Sequence, residues 1–213
     1  MKKGEVLARL ENTGIVAVIR EKTQQQALDA ARAVVAGGIF GLEVTFSVPD
    51  AAIVIAQLKE IYIEQKSVVV GAGTVLDAIT ARMAIVAGAE FIVSPSFNQE
   101  TAQVCNLYQV PYLPGCMTMT EMQQAMMSGA EIVKLFPANN FDPAFIKSIK
   151  APLPQINIMP TGGIDLDNLL TWKKAGALLV GVGGNLFQGV ATKDYTQVSK
   201  MASAYSKRWF ETK

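Results

Sequence analysis

The chain has 213 residues, of which 50% are hydrophobic and 17% charged, with a net charge of +1, two cysteines and no histidine. That length and apolar fraction suit one substantial core. The missing imidazole excludes Ser-His-Asp and Cys-His nucleophile pairs and HExxH zinc sites, and the balanced charge argues against nucleic acid or an anionic membrane as the partner. Cys105 and Cys116, isolated from other soft ligands, read as buried free thiols rather than a disulfide or a zinc site. With no signal-peptide stretch and no apolar run of membrane length, a cytoplasmic location is expected.

In chain order, short runs that are apolar without alternation fall at 15–19, 42–46, 68–70, 91–93, 110–113, 132–136, 156–159 and 178–182. Such runs fit strands buried on both faces of a parallel sheet. Between them, 24–35, 51–63, 78–86, 102–108, 121–127, 143–149 and 167–175 carry apolar residues at helical spacing. Thr23, Asp50, Asp77, Asp142 and Asp165 are expected helix N-caps, with Pro143 at a first helical position. Glycine-containing stops at 36–38, 87–89, 128–130 and 175–177 close helices ahead of the next strand. Eight strand-helix alternations without a linker predict an α/β fold, a single-domain (β/α)8 TIM barrel over residues 1–213. The rival open sheet lacks its GxGxxG fingerprint at both 71–73 and 181–183.

Barrel enzymes place chemistry at the C-terminal ends of strands, so polar residues inside or just after the apolar runs are the candidates. Lys59, Lys147, Lys150, Lys173 and Lys174 lie in helical contexts and read as solvated, whereas Lys134 interrupts an apolar strand, Ile-Val-Lys-Leu-Phe. Glu90 and Glu131 open strands at the end away from the active face. Glu43 sits within Gly-Leu-Glu-Val-Thr-Phe, and alternation sends Glu43 and Thr45 to one face. Two strands thus each carry one buried charge, of opposite sign. A structural ion pair accounts for that, and so does chemistry in which Lys134 forms a Schiff base with a ketone while Glu43 moves protons. Neither reading needs a metal or cofactor.

Thr161-Gly162-Gly163 after the seventh strand and Gly181 to Gly184 at the end of the eighth suggest an oxyanion site built from backbone N–H groups. Thr74 after the third strand and Ser94-Pro95-Ser96 after the fourth add small and hydroxyl-bearing residues to the same rim. Arg20, directly after the first strand, is placed to bind a carboxylate or phosphate. Trp172, Trp209 and the methionines show no spacing that marks a cofactor site and read as packing.

The segments GIFGLEVT (38–45), VGAGTV (70–75), FIVSP (91–95), PYLPG (111–115), VKLFP (133–137) and PTGGI (160–164) occur in the order and approximate spacing of the 2-keto-3-deoxy-6-phosphogluconate/4-hydroxy-2-oxoglutarate aldolases. The chain resembles that family from about residue 16 to residue 186. The resemblance implies a class I aldolase, usually a homotrimeric barrel, that cleaves a phosphorylated 2-keto-3-deoxy acid, 2-keto-3-deoxy-6-phosphogluconate, to pyruvate and glyceraldehyde 3-phosphate. A second candidate substrate is 4-hydroxy-2-oxoglutarate, giving pyruvate and glyoxylate. It further implies Lys134 as the Schiff-base lysine, Glu43 as the acid/base, Thr74 at the pyruvyl group and Thr161 in stereochemical preference. Gly162, Gly163 and Gly183 match phosphate contacts, and Thr45, Pro95, Gly184 and Arg20 complete the expected substrate-binding set. The chain departs from the family pattern at Ser47, where many members carry arginine, and at Gly184, where serine is common. Both departures bear on the substrate, so galactonate and amino-sugar analogues stay open. A phosphate-binding barrel without catalysis and a phosphosugar isomerase are the readings from other classes.

Overall fold

Strands and helices alternate throughout residues 3–211, which the computed structural model describes. The strands are β1 (Ile15–Ile19), β2 (Gly41–Thr45), β3 (Val69–Gly73), β4 (Ile92–Val93), β5 (Tyr112–Leu113), β6 (Gly115–Cys116), β7 (Val133–Leu135), β8 (Ile158–Pro160) and β9 (Val180–Val182). The helices are α1 (Lys3–Thr13), α2 (Gln24–Ala36), α3 (Ala51–Ile61), α4 (Ala78–Val86), α5 (Gln99–Leu107), α6 (Met119–Met127), α7 (Ala144–Lys150), α8 (Leu169–Ala175) and α9 (Tyr195–Phe210), with 3-10 segments at Ala138–Asn140 and Gly184–Thr192.

Every strand pair is parallel, in a six-stranded sheet ordered β5-β4-β3-β2-β1-β9 and a three-stranded sheet ordered β6-β7-β8. The fifth strand, expected at 110–113, is confined to β5 at 112–113, and beyond Pro114 an unexpected second piece, β6, joins the other sheet. Proline has no N–H to give to a ladder, and its carbonyl instead accepts the Lys134 N–H at 2.9 Å. On the far side, an isolated parallel bridge between Thr161 and Gly181 links the end of β8 to β9.

The strands are apolar on both faces because both faces are covered. The outer face packs against the helices around Leu42, Val44, Val70, Ile92 and Leu135. The inner face buries Val16, Val69, Phe91, Leu113, Ile132 and Met159 together with Val6 and Leu10 of α1. Neither α1 nor α9 was among the expected helices. The first supplies inner-core residues, and the second buries Val198, Ala202, Tyr205 and Trp209 at spacings of four, three and four. Trp172 is likewise in the core.

Thr23 and Asp77 cap their helices through bonds from Gln26 N and Thr80 N, and Thr118 with Glu121 forms a capping box at α6. Asp50 does not cap α3. Its left-handed backbone (φ 53°) leaves the side chain without a bond to the helix, and its carboxylate accepts from Gln24 Nε2 at 2.6 Å. Asp142 and Asp165 hold turns just before their helices, through Ala144 N in one case and Asp167 N and Asn168 N in the other. The helix stops behave as expected, with Gly88 and Gly176 at φ 96° and 105°.

Two lysines depart from the solvated reading. Lys59 pairs with the buried carboxylate of Glu90 at 2.6 Å, a group that Arg9 of α1 also holds at 2.5 Å. Lys173 donates to the Trp209 carbonyl and lies 5.1 Å from that indole's centroid. Cys105 and Cys116 are free and buried, and burial pushes both thiols up to about 12. No described helix is long and apolar enough to cross a membrane.

Candidate active site

Pleating places Glu43 of β2 and Lys134 of β7 on inner positions, and both are buried, at 1% and 5% exposure. Their neighbours in the ladders include small residues: Glu43 lies opposite Gly71 of β3, and Lys134 opposite Gly115 of β6. Lys134 Nζ is 3.5 Å from Glu43 Oε1, close enough to attract and too long for a strong charge-assisted hydrogen bond. The other carboxylate oxygen, Glu43 Oε2, is buried without a hydrogen-bond partner among the described residues. Leaving such a group unsatisfied costs about 1–3 kcal/mol or more, so it is a standing acceptor for a proton donor brought alongside. Lys134 Nζ also lies 5.0 Å from the centroid of the Phe136 ring.

Glycines make the room. A Cβ on Gly73 would lie 2.1 Å from Glu43 Oε1, and one on Gly181 would lie 2.3 Å from Thr161 Oγ1. The Thr161 hydroxyl is itself buried and without a partner among the described residues. In the sequence, Gly71-Ala72-Gly73 registers only as an incomplete dinucleotide fingerprint and Gly181 only as part of an oxyanion loop. Their inward-facing role was missed because it depends on register with a neighbouring strand.

Above this chamber opens a cavity of about 460 Å³ lined by Arg20, Glu21, Phe136, Thr161, Gly162, Gly163, Gly183 and Gly184, among others. Most of the expected rim residues therefore do converge. Thr74, directly after β3, has a left-handed conformation (φ 55°), a strained state that β-branched residues rarely adopt and that clusters at functional sites. Its hydroxyl accepts from Arg20 Nη2 at 3.2 Å. Glu21 went unremarked in the sequence, although it directly follows Arg20 at the strand end. It is half-buried, and burial raises its pKa.

Three expected contacts do not line the cavity: Thr74, which reaches it only through Arg20, and Thr45 and Pro95. The Thr45 hydroxyl donates to the Ile19 carbonyl at 3.0 Å, which leaves it to accept from Ser47 Oγ at 2.8 Å. It ties β1 to β2 beneath the rim. Pro95 is half-buried after β4, where its carbonyl fills the space that a side chain at Gly115 would need. No group of three or more potential metal-ligating His, Cys, Asp or Glu side chains occurs among the described residues.

The sequence model of the KDPG and KHG aldolases matches residues 6–201. A 2-dehydro-3-deoxy-phosphogluconate aldolase of Treponema pallidum is 34% identical over 92% of this chain and 94% of its own length. A 2-dehydro-3-deoxy-6-phosphogalactonate aldolase of Escherichia coli is 32% identical over 92% and 95%. Among solved structures, a KDPG aldolase from Legionella pneumophila, with pyruvate captured at low pH as a covalent carbinolamine intermediate, superposes with a TM-score of 0.85 at 27% identity, covering 96% of this chain and 98% of that one. With a match across nearly the whole length and a fold that agrees with it, the chain belongs to the KDPG and KHG aldolase family.

Proposed function

We propose that this chain is a class I aldolase that cleaves 2-keto-3-deoxy-6-phosphogluconate to pyruvate and glyceraldehyde 3-phosphate, with Lys134 as the Schiff-base lysine and Glu43 as the acid/base. The observation that carries the reading is the pair itself: a buried amine and carboxyl 3.5 Å apart, with one carboxylate oxygen left open to a proton donor. A pair built for stability alone would close that contact and satisfy both oxygens.

In the forward reaction neutral Lys134 adds to the 2-keto carbon, giving a carbinolamine. Glu43, directly or through water, protonates the departing hydroxide, and a cationic imine forms. Glu43 then accepts the proton of the 4-hydroxyl as the bond between carbons three and four breaks. The bonding electrons pass into the imine to give an enamine, and the aldehyde leaves. Protonation of the enamine at carbon three and hydrolysis of the imine release pyruvate and regenerate Lys134. The step needs one amine, one carboxyl group and water. On this reading Thr74 and Arg20 serve the carboxylate end, Thr161 the reacting centre, and Gly162, Gly163, Gly183 and Gly184 the distal end.

The same reading takes the two sheets as one (β/α)8 barrel in a single domain over residues 1–213, supported by the continuity of β5 and β6 through Pro114 and by the Thr161–Gly181 bridge. It also takes the active form as a cytoplasmic homotrimer. Support comes from an apolar face on α3 and α4, where Ile53, Ile79, Met83 and Val86 are all at least half exposed, an arrangement typical of a buried interface.

Borohydride reduction in the presence of pyruvate, followed by peptide mapping, tests the chemistry. The adduct is expected on Lys134, and Lys134→Arg is expected to lose both the adduct and activity by about 10⁴-fold or more. An adduct on another lysine, or none, overturns the assignment.

A further inference from the structure

Resting on the function proposed above, we infer that Glu21 is a specificity-determining residue that weakens the preference for a dianionic phosphate end and favours a substrate whose distal end carries a hydroxyl. The glycine-lined mouth holds two charged side chains, Arg20 and Glu21. Arg20 turns toward β3, where its guanidinium is bonded to Thr74 Oγ1, and Thr74 is not among the residues that line the mouth. At position 47 a short hydroxyl, engaged with Thr45, contributes no cation. The distal end therefore combines the backbone of Gly162, Gly163, Gly183 and Gly184 with the carboxylate of Glu21, which makes no hydrogen bond or ion pair among the described residues.

Donors and an unengaged acceptor in one place suit a group that both accepts and donates. A hydroxyl does so. A phosphate dianion accepts only, and it meets a like charge beside the N–H groups that would otherwise hold it. Half-burial of Glu21 reduces the screening of that repulsion by solvent.

The test compares wild type, Glu21→Gln and Glu21→Lys on 2-keto-3-deoxy-6-phosphogluconate and on unphosphorylated 2-keto-3-deoxygluconate. In Glu21→Gln, kcat/KM for the phosphorylated substrate is expected to rise about fivefold, the size expected of one charge acting on a dianion across a solvated cleft. For the unphosphorylated substrate it is expected to fall. Glu21→Lys should extend the phosphate gain, and added salt should narrow the difference between variants. An unchanged or reduced preference for the phosphorylated substrate in both variants overturns the inference. Calorimetric titration with glycerol 3-phosphate reads the same charge discrimination without catalysis, with affinity expected to tighten about fivefold in Glu21→Gln. Unaltered affinity overturns it too. The pyruvate adduct on Lys134 separates the two ideas, because its absence refutes the aldolase reading while the titration still decides the role of Glu21.

Discussion

Glu43 and Glu90 are equally buried, each at 1% exposure, and each faces a lysine, yet they live opposite lives. Glu90 lies at the N-terminal ends of the strands, where Arg9 takes one oxygen at 2.5 Å while Lys59 at 2.6 Å and the Val70 N–H at 3.3 Å take the other. Glu43 opens toward the C-terminal ends, with one contact at 3.5 Å and one oxygen unpartnered. Burial and pairing with a cation are common to both, so neither property marks a reactive group. The difference lies in the hydrogen bonds: the fully partnered carboxylate of Glu90 locks α1 and α3 onto the sheet, while Glu43 keeps one oxygen without a partner among the described residues, beside a lysine.

Substitutions at both ends test that contrast. Glu43→Gln is expected to lower kcat by about 10³-fold, measured by steady-state pyruvate release, while leaving Lys134 able to form a slower adduct. Full retention of kcat would break the distinction. Glu90→Gln is expected to lower unfolding free energy by about 3 kcal/mol, read from denaturant midpoints, with the Lys134 adduct intact. If it abolished the adduct instead, the two ends would not be independent. Gly73→Ala pushes a methyl group into Glu43 Oε1 and is expected to cost about 100-fold in kcat through displacement of the carboxylate. The smallest effect belongs to Lys59→Met, about 1 kcal/mol in stability, because its ammonium is part-exposed and Arg9 still holds Glu90.

Much of this was legible in the chain before folding. A lone charge within an apolar strand has few explanations, which is why Lys134 and Glu43 stood out. The strand-helix rhythm followed from helix-ending glycines whose conformational role is local. Glu90 and Glu131, in contrast, present the same sequence signal at a strand's start and meet different fates. Glu131 is 43% exposed in its side chain and pairs with Lys3, whereas Glu90 is sealed by residues 81 and 31 positions away. Tertiary distance of that kind is invisible to periodicity. Helix α9 was not expected; its buried residues Val198, Ala202, Tyr205 and Trp209 recur at helical spacing, but nothing local required a helix after the last strand. The split at Pro114 was not anticipated, because the switch from β4 as the partner of β5 to β7 as the partner of β6 depends on which neighbours pair on either side.

The glycines of the cleft divide it into a rigid floor and an adjustable lip. Gly73 and Gly181 cannot acquire a side chain without displacing Glu43 Oε1 or Thr161 Oγ1, whereas a Cβ at Gly184 would meet nothing within 4 Å. Mutation can therefore explore the length and polarity of the outer end at little structural risk while the reacting centre stays fixed. Such a molecule is predisposed to change what it accepts before it changes what it does, and Gly184 is where a lineage or an engineer would begin to retune its diet.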